Sequence, residues 1–78
     1  MAAKTQVQQR LGQAIKEIRS SKSLTQEELA DRSGLHPTYI SDIERGARNP
    51  SFLALVRLAD GLGSTLAEIG AAYDRCET

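Results

Sequence analysis

The side chains best suited to recognition chemistry lie in one short stretch of the chain, between residues 36 and 49. Hydroxyl, imidazole and carboxylate groups come first and are followed by two guanidinium groups and an amide: His36, Thr38, Ser41, Asp42, Arg45, Arg48 and Asn49. Such groups donate and accept hydrogen bonds and carry charge. The sequence offers no Cys/His or Ser/His/Asp set and no glycine-rich phosphate loop, so an enzyme is not expected. One His and one Cys cannot form a zinc site within one chain.

The length and composition of the chain indicate one small globular domain, which we assign to residues 1–78. Apolar residues make up 40% of the chain and charged residues 26%, as in ordinary globular proteins. No apolar run is long enough to cross a membrane and no signal peptide is evident, so we expect a cytoplasmic location. The single cysteine, Cys76, excludes an intrachain disulfide.

Three helices are predicted in the first half of the chain. The first runs from about Thr5 to Ser20, because apolar residues recur there on one helical face: Val7, Leu11, Ala14, Ile15 and Ile18. Thr25–Glu28 has the pattern of a capping box and opens the second helix, which Gly34 ends. Pro37 suits the first position of a third helix, which extends to about Arg45.

Two further helices are predicted in the second half. Ser51 is a suitable N-cap for the fourth helix, whose expected inward face is Phe52, Leu55, Leu58, Ala59 and Leu62. Thr65 and Glu68 form another capping box and open a fifth helix at about residues 65–74. No segment alternates with a period of two, so the expected fold class is all-α with five helices and no sheet.

Several sequence blocks carry a resemblance to a known family. In chain order they are Leu24–Ala30, Ser33–Gly34, Tyr39–Gly46, Arg48–Ser51 and the spaced residues of Leu55–Gly63. These blocks resemble the XRE-type (Cro/repressor-like) helix-turn-helix family of DNA-binding transcriptional regulators, and the likeness covers roughly Leu11 to Ile69. It implies a repressor-like domain in which residues 25–45 form the helix-turn-helix and the third helix enters the major groove.

The resemblance also implies which residues contact DNA. Thr25 and Gln26 lie at the start of the second helix, where the Gln side chain and a backbone N–H are expected to hold a phosphate. The residues expected to face base edges on the third helix are His36, Pro37, Thr38 and Asp42, and Ser41 is expected on the same outward face as a further DNA-binding residue. For His36, capping of the helix is an equal alternative. Tyr39 is equally compatible with core packing and with DNA contact.

Three residues after the third helix are expected along the duplex backbone: Arg45, Arg48 and Asn49. Arg48 reaching into a groove is the alternative. Arg19 and Glu44 match a structural ion pair that ties the first and third helices together. Ser23 occupies a position where glycine is usual, so a left-handed backbone there would be mildly strained.

The expected partner is double-stranded DNA, bound by a homodimer because one helix-turn-helix reads few base pairs. Apolar residues near the C-terminus, together with part of the fourth helix, are expected to form the dimer interface: Leu66, Ile69, Ala72 and Tyr73. The short chain is most similar to controller proteins of restriction–modification systems and to Cro-like repressors. The alternative is an antitoxin or protein-interaction module of the same fold. No cofactor, metal, small-molecule effector or membrane is expected.

Charge is distributed unevenly along a chain whose formal net charge is zero. Residues 1–57 hold nine Lys/Arg and six Asp/Glu, a balance of +3, whereas residues 58–78 hold one and four, a balance of −3. A DNA-facing front and an acidic rear is one interpretation of this separation, and chance in a short chain is the other.

Overall fold

The computed structural model describes residues 5–76, which form five helices and no strand. The helices are α1 (Gln6–Ser21), α2 (Gln26–Ser33), α3 (Pro37–Glu44), α4 (Phe52–Leu62) and α5 (Leu66–Arg75). The all-α, five-helix fold class expected from the sequence is thereby confirmed.

Hydrogen bonds to side chains within each first turn set the starts of the helices. Thr25 Oγ1 accepts from the Glu28 backbone N–H at 3.0 Å, while Glu28 Oε1 accepts from the Thr25 N–H at 2.8 Å. The bond from the Thr25 backbone holds the pKa of Glu28 below its ordinary value, because it favours the charged carboxylate. Reciprocal boxes also open α1 and α5, and Ser51 caps α4. Each cap satisfies donors that lack a partner within the helix.

Two layers of contacts build the core. Helix α2 packs against α3 and α4, and α1 packs against α3 and α5. The largest fully buried side chains come from four helices: Ile15, Leu29, Ile40, Ile43, Leu58 and Leu62. The buried side of helix α3 thus packs against both α1 and α2.

The predicted inward face of the fourth helix is wrong at one residue. Phe52 is 70% exposed, whereas Ala54 is 5% exposed. The first turn of α4 is apolar on every side, so the hydrophobic period does not select its inward face. Packing against α2 makes that selection, and the large ring is left outside.

The predicted dimer interface is corrected in the same way. Ile69 is 4% exposed and Ala72 is fully buried, so both belong to the protomer's own core. The reason is that α5 packs directly on α1. Tyr73 is half-buried beneath the Arg10 guanidinium, which lies 4.6 Å from the ring centroid. Of the predicted set, only Leu66, 37% exposed, offers substantial apolar surface.

Candidate nucleic-acid interface

A tight turn joins α2 to α3 and sets the angle between them. Gly34 adopts a left-handed conformation with φ of 72°, which glycine reaches without steric cost. The N–H groups of Gly34 and Leu35 both donate to the Ala30 carbonyl oxygen. The turn therefore satisfies the end of α2 and directs the chain into α3.

His36 is the N-cap of α3. Its Nδ1 accepts a hydrogen bond from the Thr38 backbone N–H at 3.0 Å. In the neutral ring this leaves Nε2 as the protonated nitrogen, available as a donor. Of the two roles left open for His36 by the sequence, the structure shows the capping one. Pro37 follows at the first helical position, where the missing N–H is no loss.

Helix α3 divides into an inner and an outer face. Ile40 and Ile43 are fully buried against the core. The N-terminal residues His36, Pro37 and Thr38 are exposed, and Tyr39, Ser41 and Asp42 are half-buried. The predicted polar surface of the third helix is therefore presented at its N-terminal end and along one side.

Glu44, the last residue of α3, is held by α1 and α2 at once. Arg19 Nε donates to Glu44 Oε2 at 2.6 Å, and Arg19 Nη2 donates to Oε1 at 3.0 Å. Gln26 Nε2 donates to the same Oε1 at 3.0 Å. The side chains of Arg19 and Glu44 are only 13% and 3% exposed, and this paired hydrogen bonding raises the pKa of Arg19. The network fixes the C-terminal end of α3 on the body of the protein.

The same network uses one of the Gln26 donors that the sequence predicted for phosphate binding. One amide hydrogen of Gln26 is committed to Glu44, which leaves its second amide hydrogen and its backbone N–H at the start of α2. The hydroxyl oxygen of Thr25 is occupied by the Glu28 N–H. The donors left at the start of α2 are therefore the remaining Gln26 groups, the Glu27 backbone N–H and the Thr25 hydroxyl hydrogen.

A second charged cluster lies just beyond α3. The Asp42 carboxylate accepts hydrogen bonds from Arg45 Nη2, through Oδ1, and from Arg48 Nε, through Oδ2 at 3.4 Å. The Arg48 guanidinium also lies over the Tyr39 ring, 5.2 Å from its centroid. Asn49 is exposed next to it. The structure thus brings four of the predicted contact residues into contact with one another: Tyr39, Asp42, Arg45 and Arg48.

Gly12 is a positioning residue that sequence reasoning missed. A Cβ atom at this position of α1 would lie 2.2 Å from the Ile43 carbonyl oxygen and 2.7 Å from that of Glu44. Only glycine therefore lets α1 approach the end of α3 so closely. The available signal was a glycine in the middle of a regular helical pattern, which often marks a close packing contact.

Within residues 5–76, no three His, Cys, Asp or Glu side chains are grouped so as to hold a metal ion. None of the helices in this part of the chain has the length and apolar character needed to cross a bilayer.

Comparisons with known proteins agree with this geometry. A helix-turn-helix family model matches residues 15–69. The control protein C.BamHI of Bacillus amyloliquefaciens is 51% identical over 53 residues, which are 67% of this chain and 65% of that protein.

Among solved structures, the restriction-modification controller protein C.AhdI from Aeromonas hydrophila superposes with a TM-score of 0.76 and 39% identity, over 78% of this chain and 92% of that one. The clp gene regulator ClgR from Corynebacterium glutamicum gives a TM-score of 0.84 at 29% identity, over 92% of this chain and 77% of that one. The chain belongs to the XRE-type helix-turn-helix family of DNA-binding transcriptional regulators.

Proposed function

We propose that this protein is a sequence-specific regulator that binds a palindromic operator as a homodimer, and that it controls the genes of a restriction–modification system. The observation that carries the proposal is the arrangement of α3. Its exposed N-terminal end is polar, its C-terminal end is flanked by Arg45 and Arg48, and Glu44 fixes it to α1 and α2. The names of C.BamHI and C.AhdI support the controller assignment.

The contacts divide into two classes in this proposal. Thr38, Ser41 and Asp42 meet base edges in the major groove, because α3 presents them at its outer side. Gln26, Arg45, Arg48 and Asn49 contact phosphates on either side of the groove. Tyr39 acts mainly through Arg48, whose guanidinium covers its ring.

With Ile69 and Ala72 in the core, the dimer interface centres on α4, part of which the sequence had already assigned to it. Phe52 and Leu53 are 70% and 59% exposed at its first turn, and such neighbouring exposed apolar side chains, unlike a single one, indicate an interaction surface. We assign the occupant as a second copy of the chain, because a single recognition helix reads too few base pairs for useful specificity. Leu66 on α5 adds apolar surface, and two-fold pairing predicts half-sites about 34 Å apart.

Selection of bound duplexes from a random pool, followed by affinity measurements across a range of salt, tests DNA recognition. Thr38→Ala should relax base preference, whereas Arg48→Ala should weaken binding to all sequences and flatten the salt dependence by about one unit per subunit. Arg75→Ala is the matched control, because this exposed arginine pairs with Glu17 on α1, away from α3. Absent or sequence-independent binding by the wild-type chain would refute the regulator proposal.

Sedimentation equilibrium at micromolar concentration tests the dimer. Replacing both Phe52 and Leu53 with Glu should give monomers and lower operator affinity. Val7→Glu is the control, because Val7 is 62% exposed on α1, and it should leave the mass unchanged. A wild-type protein that stays monomeric with and without operator DNA would show that the assignment is wrong.

A further inference from the structure

Asp42 is unusual for a residue on a surface expected to meet phosphates, because it carries a negative charge there. Its side chain is only 18% exposed, and both carboxylate oxygens are paired. Oδ1 accepts from Arg45, which follows by three residues on the helix, and Oδ2 accepts from Arg48 in the loop beyond it. One carboxylate thus orients the two arginines that flank the C-terminal end of α3.

The two arginines are restrained but still accessible. Their side chains are 61% and 54% exposed for Arg45 and Arg48 respectively. Arg48 has a second restraint, since its guanidinium lies over the Tyr39 ring. Ion pairs this exposed are weak and are screened by salt, so phosphate oxygens can displace the carboxylate.

The Asp42 carboxylate lowers the local charge of the two arginines from +2 to +1, which weakens their attraction to phosphates. If phosphates take the arginines, the half-buried carboxylate loses its hydrogen-bond donors, which is unfavourable. A base edge with an exocyclic amine, such as that of cytosine, would give Asp42 a replacement donor in the major groove.

We propose that Asp42 is a specificity-determining positioning residue that restrains Arg45 and Arg48 and weakens their binding to phosphates of arbitrary sequence. An operator releases the arginines because it offers Asp42 a base amine in exchange. Random DNA lacks that donor at the required position, so the arginines stay partly paired there. This inference rests on the DNA-binding function proposed above.

The experiment compares the wild-type chain with Asp42→Asn, Asp42→Glu and the control Asp60→Asn. Asp60 is exposed on α4, so its replacement removes the same charge away from α3. Affinities are measured for the selected operator and for a random duplex of equal length, at several salt concentrations between about 50 and 200 mM.

Asp42→Asn should bind the random duplex about tenfold tighter at low salt, and its salt dependence should steepen by about one unit per subunit as freed arginines meet phosphates. The ratio of operator to random affinity should fall at least about tenfold. Asp42→Glu, which keeps the carboxylate, should retain the wild-type salt dependence. Asp60→Asn should stay within about twofold of wild type.

A second measurement examines the free protein and does not depend on DNA. The Arg48 Nε–H signal in ¹H–¹⁵N spectra should shift and exchange faster with water in Asp42→Asn than in wild type, because the amide offers the two arginines one neutral acceptor oxygen in place of two charged ones. An unchanged signal would overturn the restraint even if the protein proves to be a DNA-binding regulator.

The DNA measurements contain two further outcomes that overturn the inference. If Asp42→Asn loses operator affinity without any gain on random DNA, Asp42 reads a base and does not restrain the arginines. If wild type binds no DNA while the Arg48 signal responds as expected, Asp42 does restrain the arginines but has no role in DNA specificity. The proposed function fails as well in that case.

Discussion

Replacing Gly12 with alanine gives the sharpest test of how α3 is positioned. The added Cβ would lie 2.2 Å from the Ile43 carbonyl oxygen and 2.7 Å from the Glu44 carbonyl oxygen. Both atoms belong to the backbone, so no side-chain rotation relieves the contact, and α1 must move away from the end of α3. Overpacking usually costs about 1–3 kcal/mol, and this rigid contact lies at or above the upper end of that range.

The helix propensity of alanine offsets only part of this cost. Alanine is favoured over glycine inside a helix by about 1 kcal/mol. We therefore expect Gly12→Ala to lower the free energy of unfolding by about 2–4 kcal/mol. A domain of this size typically has a total of about 4–12 kcal/mol, so the loss would be a large share.

Urea denaturation followed by circular dichroism measures the effect. With a dependence of about 1 kcal/mol per molar urea for a small domain, the midpoint should fall by about 2–4 M. Gly70→Ala is the matched control, because this exposed helical glycine of α5 has nothing within 4 Å of an added Cβ. It should raise stability by about 0.5–1 kcal/mol.

The result that refutes this reasoning is a Gly12→Ala midpoint within about 0.5 M of wild type together with the expected rise for Gly70→Ala. That outcome would mean that α1 and α3 adjust to the methyl group easily, and that the close approach does not position the recognition helix.

Three other predictions concern the supports of the helix-turn-helix. Ser23 has a φ of 58°, so Ser23→Gly should relieve left-handed strain and raise the denaturation midpoint, by about 0.5–1 kcal/mol in stability; a lower midpoint would contradict this. Glu44→Gln should cost about 3 kcal/mol by the same assay, because the Arg19 guanidinium would be left nearly buried without its counter-charge; a neutral effect would show that the pair is dispensable. Because the pKa of Glu28 is lowered on folding, its contribution is present above the ordinary value of 4.5 and is lost as the pH falls through the lowered value. The melting temperature of Glu28→Gln should therefore fall less steeply with decreasing pH than that of wild type. An equally steep fall in both proteins would count against the capping role of the carboxylate.

Features that depend on neighbours along the chain could be predicted from the sequence. The start of α2 follows from Thr25 and Glu28, which bond to each other's backbone within one turn. Its end follows from Gly34, whose left-handed backbone needs no distant partner. Arg19 and Glu44 lie 25 residues apart in the sequence, and their pairing was predicted instead from the family resemblance.

Features that depend on the rotation of one helix against another were not predictable in this way. The exposure of Phe52 and the burial of Ile69 and Ala72 follow from how α4 and α5 lie on α2 and α1. Apolar residues on both sides of these helices satisfy the same periodic pattern, so the pattern alone does not select the buried side.

The sequence by itself therefore determined the number of helices, the N-terminal caps of α2, α4 and α5, and the family to which the polar stretch around α3 belongs. Only the tertiary structure decided what that stretch touches. It showed that Gln26 donates a hydrogen bond to Glu44 and that Asp42 pairs with two arginines. It also showed that the missing side chain of Gly12 allows α1 to pack closely against the end of α3. The physical reason is range, because caps and turns are completed by hydrogen bonds within a few residues, whereas these contacts form only after distant helices have packed.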